Sequence, residues 1–159
     1  MSAENLNIGA SEVLQFAIKI EENGYDFYNK VAEANEDEKI KNLFVFLADE
    51  EVKHKETFET MLPEIEKYEP TEAYPPEYFE YLRAYADNII FKKGVEKELS
   101  GGLEPASAVD FGMIIEVDSI AYYNEIKNFV PEEQKRMIDK IISEERKHFL
   151  KLSELKKTL

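Results

Sequence analysis

Both histidines of the 159-residue chain stand three residues after a glutamate, as Glu51-x-x-His54 and Glu145-x-x-His148. On a helix this spacing puts carboxylate and imidazole on one face about a turn apart, where the two can close on a common cation. With 27 glutamates in the chain, one such pair carries little weight. Both pairs, however, follow a further glutamate by about thirty residues, Glu21 in the first case and Glu116 in the second, and each of these precedes a tyrosine by seven residues, Tyr28 and Tyr123. Four carboxylates and two imidazoles therefore recur in one pattern, written twice.

The neighbours of these residues decide which way they point. Leu14, Ala17, Glu21, Gly24, Tyr28 and Val31 alternate at spacings of three and four, and so do Val109, Gly112, Glu116, Ser119, Tyr123 and Ile126. The Glu-x-x-His pairs fall on like stripes, Phe44, Leu47, Glu51, His54, Phe58, Met61 and Ile138, Ile141, Glu145, His148, Leu152, Leu155. Such spacing keeps one helical face toward a core, so all six polar residues point inward. An unpaired buried carboxylate costs several kcal/mol, and four converging ones also repel. The stripes contain no Lys or Arg to neutralise them, whereas two divalent cations balance four carboxylates in charge. Tyr28 and Tyr123 fit equally well as core aromatics or as groups that hydrogen-bond a ligand glutamate. Glu22, Glu50 and Glu144 lie beside the stripes and are expected on a solvated face.

The elements that position these residues follow from the same periodicity. Helices are predicted over 11–35, from 40 to a few residues past 63, over 77–91, over 106–129, and from 131 to about 157, the last with Pro131 as its first residue. Loops are expected at 35–38, over the proline-rich 68–76, and over 92–105 with its Gly101-Gly102 pair. The first and last connections are short, so each joins an antiparallel hairpin, while the middle one is a long crossover carrying its own short helix. The hairpins are copies of one another. Ile20-Glu21 and Phe27-Tyr28-Asn29 match Ile115-Glu116 and Tyr122-Tyr123-Asn124 at an offset of 95, and Glu50-Glu51-Val52-Lys53-His54 matches Glu144-Glu145-Arg146-Lys147-His148 at an offset of 94. An all-α four-helix bundle of two repeated hairpins, forming one domain over 1–159, is the expected fold.

Composition removes several alternatives. A formal charge of −14 disfavours a nucleic-acid partner, whose phosphates are bound by clustered Lys and Arg. The absence of cysteine excludes disulfides, thiolate zinc sites, iron–sulfur clusters and cysteine nucleophiles. The N-terminus lacks a basic stretch followed by an apolar core, and no apolar run approaches the roughly 18 residues of a membrane span. A cytoplasmic protein without a membrane partner is expected.

Glu21 with Tyr28, Glu51 with His54, Glu116 with Tyr123 and Glu145 with His148, at helix-length spacing over nearly the whole chain, resemble a rubrerythrin-type member of the ferritin-like di-iron carboxylate superfamily. The resemblance implies two metal ions per chain, iron foremost, with manganese or zinc as alternatives. It would make Glu21 and Glu145 terminal ligands, Glu51 and Glu116 the bridging carboxylates, and His54 and His148 one nitrogen ligand each. It also implies an oxidoreductase that reacts with hydrogen peroxide or dioxygen in oxidative-stress defence and forms a homodimer; for this chain the electrons are expected from an external electron-transfer protein. Two other roles suit the same ligands: iron binding, oxidation or storage in the manner of ferritins, and a non-catalytic bundle in which metal only holds helices together. The sequence departs from typical rubrerythrins in two ways. It has no cysteines for a rubredoxin domain, and it has Met113 where they carry an additional glutamate one turn before Glu116.

Overall fold

The computed structural model describes residues 9–67, 74–90 and 104–159. Its helices are α1 (Gly9–Ala34), α2 (Glu38–Lys67), α3 (Pro76–Tyr85), α4 (Pro105–Ile126) and α5 (Glu132–Lys156). A π-helical turn, Ala86–Ile90, extends α3, and a 3₁₀ turn, Lys127–Phe129, extends α4. Local chemistry sets the starts. Asp37 caps α2, its Oδ1 accepting from the backbone N–H of Lys39 at 2.9 Å and of Ile40 at 3.3 Å, which satisfies donors that have no partner inside the helix. Pro76 and Pro105 open α3 and α4, where the missing N–H costs nothing and φ is already helical. Pro131 instead stays extended and serves as the cap of α5, so that helix begins one residue later than expected. Its carbonyl accepts from Gln134 and Lys135. The helix expected over 77–91 is observed as α3 with its π turn, except that Phe91 lies outside the described residues, as do 68–73 and 92–103 of the two expected loops.

The helices pair as the repeat demands. α1 packs most extensively on α2 and α4 on α5, and the two hairpins meet through α1 with α4 and α2 with α5. Two apolar clusters fill the bundle. One gathers Leu14, Phe58, Met61, Tyr123, Ile126 and Ile138 with their neighbours, and the other Tyr28, Phe44, Leu47, Val109 and Leu152. Along every one of the four long helices the stripe leaves one cluster, passes a glutamate or a Glu-x-x-His pair, and enters the other. The polar residues therefore form a layer between two apolar plugs. α3 closes the first cluster through buried Leu82 and the rings of Tyr78, Phe79 and Tyr85, and Arg83 pairs with both oxygens of Glu12 on α1 at 2.9 and 2.8 Å. That pair is exposed enough to contribute little stability; the apolar contacts hold α3 down. Among the described residues no helix is long and apolar enough to cross a membrane.

Candidate metal centre

Glu21, Glu51, His54, Glu116, Glu145 and His148 are each no more than 2% exposed. Their donor atoms form two overlapping groups within 4.8 Å, Glu21–Glu51–His54–Glu145 and Glu51–Glu116–Glu145–His148. Glu51 and Glu145 belong to both groups, while Glu21 accompanies only His54 and Glu116 only His148. The resemblance gives the bridging roles to Glu51 and Glu116; in these groups it is Glu51 and Glu145 that recur, and Glu116 stands in one alone. The reason lies in the packing. The two shared carboxylates come from the helices that also carry the histidines, α2 and α5, and meet across the layer, whereas α1 and α4 present one glutamate each to opposite sides.

The donors lie close to one another. His54 Nδ1 lies 2.6 Å from Glu145 Oε1 and 3.6 Å from Glu21 Oε1, and His148 Nδ1 lies 3.7 Å from Glu116 Oε1 and 3.9 Å from Glu145 Oε1. The two rings stack at 5.7 Å between centroids. Close as these atoms are, neither Nδ1 is in hydrogen-bonding geometry. Among the described residues, eight buried side-chain nitrogen or oxygen atoms lack a hydrogen-bond partner, and seven of them belong to these six residues; the eighth is Gln134 Oε1. Orphaned buried polar atoms are costly and rare in folded proteins. Seven converging in one layer fit a pair of bound cations, and carboxylate oxygen with imidazole nitrogen is a donor set suited to iron or manganese.

Supporting groups complete the layer. Tyr28 O–H donates to Glu116 Oε1 at 2.6 Å, and Tyr123 O–H donates to Glu21 Oε1, so each tyrosine serves the glutamate of the other hairpin. In both glutamates Oε2 is the atom left without a partner and so available to a cation. Burial first, and then the charge of Glu116 or Glu21, pushes both phenols well above their usual range, so both keep their protons. The two readings left open for these tyrosines are thus both realised, as core aromatics that are also hydrogen-bond donors. Glu144, expected in solvent, instead has Oε2 2.7 Å from His54 Nε2. The recurring Glu-Glu-x-x-His was the signal for it. Glu22 does lie at the surface, paired with Lys55 at 3.1 Å. Met113 is partly buried against the cluster that holds Tyr28 and Leu152.

Gly24 is a second residue that the sequence did not single out. A Cβ there would lie 2.9 Å from Glu51 Oε2 and 3.2 Å from its Cδ, so the bare backbone makes room for the shared carboxylate. Gly24→Ala adds about 0.5–1 kcal/mol of helix propensity, while the methyl displaces Glu51. The expected outcome is a metal-free protein that melts no lower than wild type but binds metal about tenfold or more weakly. Thermal melts and metal titration of the two proteins check this.

Electrostatics without metal are unfavourable. Burial, followed by the charges of Glu145 and Glu21, raises the Glu51 carboxyl well above its ordinary range, and burial followed by Glu116 does the same to Glu145. Burial works against a charged His54, but the Glu145 and Glu21 carboxylates beside it prevail and push it up to about 11. The cluster thus takes up protons when no cation is present.

Four carboxylates and two imidazoles between the apolar plugs of a four-helix bundle define a ferritin-like di-metal carboxylate protein. A solved structure from Thermotoga maritima, described as that of a ferritin-like diiron-carboxylate protein, is 30% identical and superposes with a TM-score of 0.66 over 94% of this chain and 95% of that one. The rubrerythrin family model matches residues 12–156, and the chain belongs to that family. No curated protein matches it.

Proposed function

We propose that the protein is an oxidoreductase whose site, filled with two iron ions, reduces hydrogen peroxide or dioxygen and is reduced again by a separate electron-transfer protein. The observation that carries this reading is the convergence of seven orphaned donor atoms in one buried layer. Two ferrous ions supply the two electrons that, with two protons, convert one hydrogen peroxide to two waters.

The chain's own residues hold and shield. The apolar plugs keep bulk water from the layer, which strengthens every electrostatic interaction inside it. Tyr28 and Tyr123 occupy one oxygen of each terminal glutamate and thereby aim the other inward. With metal bound, the Glu144 carboxylate opposite Nε2 favours a ring proton there and leaves Nδ1 of His54 for the layer.

Stopped-flow mixing of the anaerobic diferrous protein with peroxide and with dioxygen tests the proposal. Oxidation at a measurable rate, repeated on addition of an external reductant, is expected. Inertness to both oxidants overturns it, and oxidation without re-reduction, iron being retained, favours ferritin-like iron handling. Met113, one turn before Glu116, is the place to look for tuning. Met113→Glu adds a hard anionic donor, and a changed rate or changed spectrum of the oxidised protein is expected.

A further inference from the structure

The two halves of the molecule match at the inner nitrogens of the histidines but not at the outer ones. Glu144 Oε2 lies 2.7 Å from His54 Nε2. The offset of 94 maps this pair onto Glu50 and His148, yet the Glu50 carboxylate does not serve His148. It lies instead within 4.8 Å of the donor atoms of His54 and Glu144, with Lys53 Nζ 3.8 Å away. His148 has the ring of Phe46 standing edge-on at 6.0 Å, and among the described residues no carboxylate reaches its Nε2. Both outer carboxylates have therefore gathered on the same side.

A carboxylate on the outer nitrogen of a metal-binding histidine holds the ring in one tautomer, aims the free lone pair inward and makes it more basic. His54 has this support, and among the described residues the outer nitrogen of His148 has none. The charges of Glu50 and Glu144 also make the His54 side the more attractive one for a cation. Both effects have the same sign.

We infer that the two metal positions are unequal, that the one formed by Glu21, Glu51, His54 and Glu145 fills first and holds its ion more tightly, and that Glu144 is the positioning residue responsible. The inference rests on the two-metal reading of the site, and it deepens that reading by giving the positions an order.

Titration of the metal-free protein with Co²⁺ tests it, together with a crystal grown with one equivalent of Co²⁺ and measured by anomalous scattering. Two binding steps separated by about tenfold or more are expected, with the single ion beside His54. Glu144→Ala should weaken the first step by about ten- to a hundredfold and spread the single ion over both positions. Glu144→Gln, which keeps an acceptor oxygen, should restore part of the difference. Glu144 is partly exposed, so an unchanged melt of the metal-free variants will exclude a folding defect as the cause. Equal occupancy at one equivalent, or a Glu144→Ala protein that still fills the His54 position first, overturns the inference and leaves the two-metal reading standing. Failure to bind a pair of Co²⁺ ions at all overturns both.

Discussion

Metal-free protein will lose stability as the pH rises, and metal will reverse the trend. In the metal-free fold the Glu145 and Glu21 carboxylates push His54 up to about 11 against the effect of burial, whereas an unfolded histidine releases its proton near 6.5. That contribution is fully present below about pH 6.5 and is lost as pH climbs toward the folded value, at up to about 1.4 kcal/mol per pH unit for a single group. Glu51 and Glu145, also raised in the folded state, act in the same direction from the ordinary carboxylate range upward. Metal works the other way, because it binds deprotonated ligands and displaces the protons taken up in its absence. The increase in Tm on loading should therefore grow with pH. Paired melts of metal-free and loaded protein between about pH 6 and 8.5 measure the two slopes. Parallel curves would mean that the buried cluster does not exchange protons for metal.

Replacing a shared carboxylate by its amide should have opposite effects with and without metal. Glu145→Gln keeps size and shape but removes the charge that the metal-free fold must either bury or neutralise with a proton. Burial and the neighbouring charge of Glu116 oppose ionisation of Glu145 in the metal-free fold, so the metal-free variant should be more stable than metal-free wild type. With metal the order inverts. Glu145 belongs to both donor groups, and its loss should lower the content from two ions to at most one. Glu116→Gln should spare the position beside His54, since Glu116 belongs to only one group. Urea unfolding of the metal-free proteins and elemental analysis of the loaded ones decide the matter. A Glu145→Gln protein that is destabilised without metal, or that still binds two ions, would refute the shared role.

The six donors were legible in the sequence because helical periodicity is a local property. A residue at a spacing of three or four from apolar neighbours shares their face whatever the rest of the chain does, so Glu21, Glu51, His54, Glu116, Glu145 and His148 could be placed inside before any helix was packed. The same logic identified the hairpins, because short connections leave only antiparallel neighbours, and the offsets of 95 and 94 related one hairpin to the other.

What the sequence could not supply depends on the height and angle at which separate helices cross. Glu144 and His54 are 90 residues apart, and the step of one residue that moves Glu144 off its own stripe turns it toward the histidine only because α2 runs beside α5. Gly24 reads as a small stripe residue until α2 brings Glu51 within 2.9 Å of where its side chain would begin. Tyr28 and Tyr123 find their acceptors on the opposite hairpin. The membership of Glu145 in both donor groups, and of Glu116 in only one, has the same origin. Whether a carboxylate reaches one cation or two is set by the distance between helices, and that distance is fixed by the packing of the apolar plugs above and below the layer. Face is encoded in the spacing of residues along one helix, whereas partnership between faces is decided only when the helices meet.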